Sequence, residues 1–532
     1  MGEAAQFLLF GGPILTLDPA QPRVEALAVG HGRILAAGSR AQVSPWSGPL
    51  TEAIDLKGRA MLPGLIDAHL HLEQYARAMD QLDCQTPTKA ECLTRVRARA
   101  TQTPIGEWIL GHGWNQNQWN GFGTAGDLDA AAPHHPVYLS AKSLHAAWVN
   151  SRALALAAID AATPDPPGGR IGRDERGLPN GLLFEAAVRL VSSILPPPSP
   201  ERLGQQLLRA QEALLRLGLT GIHDFDGPRC FQALQLLQQR GQLRLRVVKQ
   251  IPVDALPACL DIGLRTGFGN SWLRIGNVKV FADGALGPRT AAMLKPYLEE
   301  PENRGMLLIE KDALLDVGRR AAKGGLALAV HAIGDRANRL VLDVLDALRA
   351  WQADHGLEPL PHRIEHLQLL HPNDIPRVAS LGIIASMQPI HATSDQPMAD
   401  RYWGDRVHSA YAWRSLSEAG AVLAFGSDAP VESPNPFWGL HAAVTRRSRN
   451  GDPGPEGWIP EQRLDLKRAL LGYTRGPAEA ARTADVQGRL TPGAWADLIV
   501  LPQDPFDLDP NVLHELLPQA TMVGGEWSFR SF

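Results

Sequence analysis

Gly64-Leu65-Ile66-Asp67-Ala68-His69-Leu70-His71 is the stretch on which the reading of this chain turns. Pro63 and Gly64 close the segment before it, and a short apolar run then ends in two histidines in H-x-H spacing. In an extended strand, residues i and i+2 point to the same side. Read as a strand, the run sends His69 and His71 side by side into one space. Two imidazoles held that way are half of a site for a divalent transition metal. The plainer reading is two polar residues at a strand end, and the rest of the chain decides between them.

Outward from this point, the first 62 residues predict short strands at Gln6–Phe10, Ile14–Leu17, Ala26–Val29, Arg33–Ala37 and Ala53–Leu56, separated by turn residues. Such a sheet needs a second layer. The other end of the chain offers one, at Gly488-Arg489-Leu490, Ala496–Leu501 and Gln519–Val523. The expectation is a composite β-sandwich made from residues 1–62 and 485–532. Between the ends, predicted strands alternate with helical patterns. The strands are Leu65–His69, Leu219–Phe225, Leu243–Ile251, Val278–Phe281, Leu326–His331, Arg363–His366, Ile383–Gln388 and Val422–Phe425. Helical patterns include Asp312–Lys323, Ala337–Trp351 and Leu464–Tyr473. Eight β-then-α units predict an α/β fold, a (β/α)8 TIM barrel over 63–72 and 206–484. The alternative, an open doubly wound sheet, is weaker because no Gly-rich nucleotide fingerprint follows the first strand. The interval between the first two strands is too long for a structureless loop. Residues 73–205 therefore predict an inserted α+β domain, with Trp108, Trp114 and Trp119 inside it and a proline-rich exit at 196–200.

Composition narrows the class. The chain has 532 residues, 44% hydrophobic and 20% charged, with a formal net charge of -4. This reads as globular and soluble, and no basic run argues for a nucleic-acid partner. No apolar run approaches the length of a membrane span, and no basic n-region opens a signal peptide. Cys84, Cys92, Cys230 and Cys259 are too few for a disulfide framework. The expectation is a cytoplasmic protein acting on a small-molecule substrate, with a homodimer as the default assembly.

In a (β/α)8 barrel the active site lies at the C-terminal ends of the strands. Those ends hold His69 and His71, then Lys279, His331, His366 and Asp428. One histidine at a strand end is usually structural. Four histidines, a lysine and an aspartate at one barrel mouth are more than packing requires.

On these residues the sequence resembles the amidohydrolase superfamily of metal-dependent hydrolases. Within it the match is to amidohydrolase family 3, the branch that includes N-substituted formamide deformylase-like proteins. The motifs are Gly64–His71, Lys279–Thr290 with Asp283–Gly287 inside it, His331–Asp335, Glu365-His366 and Gly426–Asp428, together with Gly111–Trp114 and His145–Asn150 in the insertion. The resemblance spans nearly the whole chain. It implies a zinc-type metal site and hydrolysis of a C–N amide-type bond in an amide, formamide or cyclic amide. A deaminase working on the same site is the alternative, and a non-catalytic, metal-stabilised binding protein is a third reading. Pro288 and Trp495 depart from the family pattern, where serine and a polar residue are common.

The roles follow. His69 and His71, with Asp428 near, hold one divalent metal, most simply Zn2+, and His331 and His366 hold a second. An ammonium cannot ligate a cation, so Lys279 must lose its proton or react with CO2 to form a carbamate, as the resemblance implies. Otherwise it is an ordinary lysine paired with Asp283 or another carboxylate. Asp428 acts as general base and acid, or as a ligand alone, and His331 helps the metal to stabilise the oxyanion. Candidate substrate-binding residues are Arg289, His145, Trp148 and Gln388. Trp148 reads equally as part of an aromatic core, Arg289 as a loop brace, and Gln388 and His391 as caps on strand seven.

Overall fold

The structure, a computed structural model, describes residues 4–119, 121–196 and 199–532, so the predicted exit at 196–200 lies partly outside the described residues. Its centre is an eight-stranded parallel sheet in which each strand pairs with the next in the chain: β1 (Leu65–Leu70), β2 (Leu219–Asp224), β3 (Arg246–Pro252), β4 (Leu273–Phe281), β5 (Leu328–Ala332), β6 (Arg363–His366), β7 (Ile384–Met387) and β8 (Val422–Phe425). The sheet closes where the loop after β8 meets β1. Asp428 N–H donates to His69 O at 2.7 Å and His71 N–H to Ala429 O at 2.9 Å. Gly426 permits this seam, because a Cβ there would sit 2.5 Å from His69 N. The fold is the expected TIM barrel. β4 starts earlier than the sequence suggests because Gly276-Asn277 breaks its apolar pattern. A Cβ at Gly276 would meet the Gln250 side chain at 2.6 Å.

The two chain ends meet in a second sheet. Its order is Glu526–Arg530, Ala520–Val523, Leu498–Leu501, Ala60–Pro63, Phe7–Leu15, Arg23–Gly30 and Arg33–Gly38, with Glu52–Asp55 also paired to Phe7–Leu15. The hydrogen-bonded ladder is continuous across all eight strands. The two strands expected in 6–17 are one, bulged between Phe10 and Ile14. Its first half pairs with Glu52–Asp55 and its second reaches Ala60–Pro63. Gly11, at φ +82°, takes up the bend that an L side chain would resist. The segment 488–490 is a bend, and Leu490 serves as a buried side chain of this sheet's core instead.

The insertion carries a six-stranded sheet, Gly169–Arg173, Pro179–Glu185, Ala146–Val149, Val137–Ala141, Ile109–Trp114 and Leu82–Asp83, with helices such as Lys89–Ala100 beside it. The helical layer after β1 is split around it. Leu72–Ala78 precedes the insertion and Pro200–Arg216 follows it, and Leu72, Ala76, Leu203 and Leu207 share the barrel core.

The two additions take opposite ends of the barrel. At the strand starts, Arg246 pairs with Asp497 of the terminal sheet at 2.5 Å and lies over the Trp495 and Trp272 rings. At the strand ends, the insertion is tied down by Lys142–Glu432 at 2.6 Å, by Thr290 Oγ1 donating to Glu185 at 2.5 Å, and by His112 against Pro430 O at 3.0 Å. Among the described residues no helix is long and apolar enough to cross a membrane.

Candidate metal centre

The barrel mouth brings His69, His71, Lys279, His331, His366 and Asp428 around one space. The tightest set is His69, His366 and Asp428, whose ligand atoms lie within 4.8 Å of one another. His71 stands just past the end of β1, at the start of helix Leu72–Ala78, yet it turns to the same place. Its Nε2 is 3.4 Å from Asp428 Oδ1, and His69 Nε2 is 3.5 Å from the same oxygen. The rings of His331 and His366 are 4.6 Å apart, and those of His69 and His366 5.0 Å.

The far side of each imidazole is fixed. His69 Nδ1 donates to Glu365 Oε2 at 2.6 Å, and its ring stacks on Phe225 at 3.8 Å. His71 Nδ1 faces Asp226 Oδ1 at 3.3 Å. His366 Nδ1 donates to Gln388 Oε1 at 2.8 Å. In His69 and His366 the proton sits on Nδ1 and the lone pair on Nε2 faces inward, the arrangement a metal-ligating histidine needs. His71 differs: burial would lower it, but Asp226 on one side and Asp428 on the other raise it to about 9, so its Nε2 carries a proton toward Asp428 that a bound ion would displace. His331 is reversed: its Nε2–H goes to Gly284 O at 3.0 Å, leaving Nδ1 as the acceptor. Burial holds His69 down to about 4 and pushes His331 and His366 well below the usual imidazole range, so all three are neutral. A donor set of imidazoles and one carboxylate fits a divalent transition metal.

Asp428 works against its own burial. Desolvation would raise its carboxyl, but His69, His71 and His366 hold it well below the usual range. It adopts φ +59°, a strained conformation for a non-glycine residue and one that places its carboxylate between the histidines. Lys279 is buried over the rings of Phe225 and Phe281, at 4.7 and 4.8 Å. Burial lowers its amine to about 8, although Glu365 and Asp428 pull the other way. Asp283 is not its partner, because that carboxylate accepts from the backbone N–H groups of Ala292, Ile333 and Gly334. Asp67 does a similar job, accepting from His69 N–H and from the Ser427 N–H and Oγ–H. Burial raises both Asp67 and Asp283 to about 7.

Of the four substrate-binding candidates, His145 alone reaches the mouth. Its ring lies 5.4 Å from that of His331, and Nδ1 is held by Glu185 at 2.7 Å. Trp148 does not contact the site. It is fully buried in the aromatic core of the insertion, with Trp114 and Trp119 around it, and its indole N–H goes to Thr124 O. Arg289 is turned away, paired with Glu300 at 2.5 Å and lying over Tyr402. Gln388 stands behind His366, with its carbonyl spent on that ring. His331 also loses the oxyanion role, because a neutral ring that gives its single N–H to Gly284 O has no proton for a substrate oxygen. Sequence reasoning gave no role to Glu365, Asp226 or Asp67, and weighed Asp283 only as a partner for Lys279. The acid beside His366 was quoted as a motif, but its contact with His69 crosses the barrel.

Fold and mouth together define a barrel hydrolase of the metal-dependent kind. The chain belongs to the amidohydrolase family, whose model matches residues 52–529. It is 34% identical to the protein LONG AFTER FAR-RED 3 of Arabidopsis thaliana, over 99% of this chain and 92% of that one. It is 30% identical to the N-substituted formamide deformylase of Arthrobacter pascens, over 99% and 98%. Among solved structures, an uncharacterized metal-dependent hydrolase of Pyrococcus horikoshii matches with a TM-score of 0.77 and 30% identity, covering 95% of this chain and 99% of that one.

Proposed function

We propose that this protein is a zinc-dependent hydrolase of C–N bonds in small amides, N-substituted formamides or cyclic amides. The observation that carries the reading is the gathering of His69, His71 and His366 around the Asp428 carboxylate, each imidazole held at Nδ1 from behind. A bound divalent ion supplies Lewis acidity and brings the pKa of water from 15.7 to about 7. The two oxygens of Asp428 are differently placed. Oδ1 faces His69 and His71, whereas Oδ2 faces His391 across the cavity at 4.0 Å. Oδ2 takes the proton of the attacking water and returns it to the departing nitrogen. The carboxyl suits this task because its imidazole neighbours keep it ionised at neutral pH.

Lys279 fits a carbamate. Burial lowers the amine to about 8, so a larger share than usual is uncharged at neutral pH, and that form adds to CO2 with formation of an N–C bond and loss of one proton. The product would offer anionic oxygen donors to an ion in the space that Lys279, His69, His71, His331 and His366 line. Similarity to a formamide deformylase supports an N-formyl or related amide as substrate. Elemental analysis of protein purified without chelator tests the reading. Two ions per chain, with hydrolysis of an N-substituted formamide that stops on chelation and returns with zinc and bicarbonate, is the expected outcome. Full activity in metal-free protein refutes it. Release of ammonia in place of amine and formate would make the enzyme a deaminase.

A further inference from the structure

Helix Pro389–Trp403 follows β7 directly and turns His391, Ser394, Asp395 and Met398 toward a cavity of about 700 Å³, partly open to solvent, in front of the metal centre. The spacing i, i+3, i+4, i+7 is one face of a helix. A barrel helix normally packs such a face on the sheet as an apolar stripe, but here it is mostly polar and lines the cavity.

Two of its groups lack a protein partner. His391 is 5% exposed, and its Nε2 has no hydrogen-bond partner among the described residues. That nitrogen lies 4.0 Å from Asp428 Oδ2, while Nδ1 lies 3.4 Å from Gln368 Nε2. A nitrogen aimed at a carboxylate carries the proton, so the Gln368 amide donates to Nδ1 and His391 presents an N–H to the cavity. A buried donor without an acceptor is costly unless a ligand completes it. One turn further, about 6 Å along the helix axis, Asp395 Oδ2 accepts from the Tyr411 hydroxyl at 2.6 Å, and Oδ1 has no protein donor among the described residues. Burial raises the Asp395 carboxyl above its usual range, more than His391 and Tyr411 lower it. The other charges on this wall, Lys142 and Glu432, lie 2.6 Å apart and neutralise each other. Lys142 still acts on Asp395 at longer range, but among the described residues no cation pairs directly with the Asp395 carboxylate.

We propose that this helix face is a cation subsite: the substrate carries a protonated amine or amidinium three or four bonds from the scissile C–N bond, Asp395 binds that charge, and the His391 N–H holds an acceptor atom at the near end. The bond that is cut rests on the hydrolase reading, but the charge that is bound does not. Calorimetry on the metal-loaded, full-length protein therefore uses two amines of equal size, 1,3-diaminopropane and butylamine. The diamine binds at least tenfold tighter, as one charge-assisted hydrogen bond predicts, and Asp395→Asn removes the preference. Equal affinities in the parent protein, no measurable diamine binding, or a preference that survives in Asp395→Asn overturns the proposal. The parent ratio alone decides if the variant does not fold. Turnover of N-(3-aminopropyl)formamide against N-butylformamide then tests the bond. The same tenfold preference in kcat/KM is expected, and His391→Gln lowers both rates while keeping their ratio. A His391→Gln variant with unchanged rates removes the near-end contact from the proposal. Diamine preference with no turnover of either formamide keeps the subsite and removes N-substituted formamides from the hydrolase reading.

Discussion

The two ends of the barrel treat buried polarity in opposite ways. At the strand starts, polar groups close on one another. Arg246 meets Asp497 with two of its nitrogens, Asp497 also accepts from Gly524 N–H, and the Asn277 amide donates to Leu328 O and Pro361 O. At the strand ends, the same kinds of group are held on one side only. His69 and His366 are fixed at Nδ1 and open at Nε2, and Lys279 has aromatic faces beside it in place of a carboxylate partner. Satisfied polarity joins parts of the chain. Half-satisfied polarity, which costs stability in a low-dielectric interior, is retained where a ligand completes it. One end is built to hold the terminal sheet, the other to hold ions and substrate.

The largest effect belongs to Asp428. Asp428→Asn keeps the shape and an oxygen but cannot accept a proton. Turnover should fall by about 10²–10⁴-fold, with metal content and melting temperature close to the parent. A fall of less than threefold would place the base elsewhere. The matching change at the other end is Asp497→Asn, which leaves the Arg246 guanidinium buried and uncompensated. Breaking a buried pair in this way costs about 3–5 kcal/mol of stability, while kcat of the folded fraction should stay unchanged. If Asp497→Asn lowered kcat at temperatures where the protein remains folded, the separation of the two ends would fail.

Glu365→Gln probes the boundary between them. Glu365 is fully buried, receives Arg363 at 2.5 Å and orients His69 at 2.6 Å. Burial opposes its ionisation, yet Arg363 and His69 hold the carboxyl far below its usual range. The amide retains the shape and loses the charge. Metal affinity should weaken about 10- to 100-fold, read by competition with a fluorescent chelator. Unchanged affinity would assign the orientation of His69 to its stacking on Phe225 alone.

The same contrast explains what could be read from sequence. The eight strands were legible because a parallel sheet covered on both faces needs uninterrupted apolar runs, and residues at the ends of such runs must come to one mouth. His69, Lys279, His331, His366 and Asp428 are placed by that rule alone. Direction beyond the strand is another matter. Arg289 and Trp148 sit in connections whose side chains are aimed by partners far away in the chain, Glu300 and the insertion's own aromatic core. The Glu365–His69 and Asp67–Ser427 contacts span 296 and 360 residues. No local pattern encodes them. His391 was read only as a cap on strand seven, and whether the helix face it shares with Asp395 meets core or cavity depends on how the insertion seats over the barrel.

The last effect, silent at neutral pH and seen only in acid, lies at the start of β6. His362 is a histidine of the stability end, and it behaves unlike those of the mouth. Its Nδ1 accepts from Leu328 N–H at 3.0 Å, so the native state needs the neutral ring, and burial lowers it to about 4 from an ordinary 6.5. The unfolded chain takes up this proton first as pH falls. Stability is therefore complete above pH 6.5 and declines as pH drops through 6.5 toward 4. The largest loss from this one group is about 3 kcal/mol at 1.36 kcal/mol per unit. In His362→Asn, an amide oxygen can accept from Leu328 N–H without titrating. Denaturant midpoints compared at pH 7 and pH 4.5 should show a smaller acid loss for the variant than for the parent, whatever the offset at neutral pH. Equal acid losses would show that His362 is not an acid-labile point of this end.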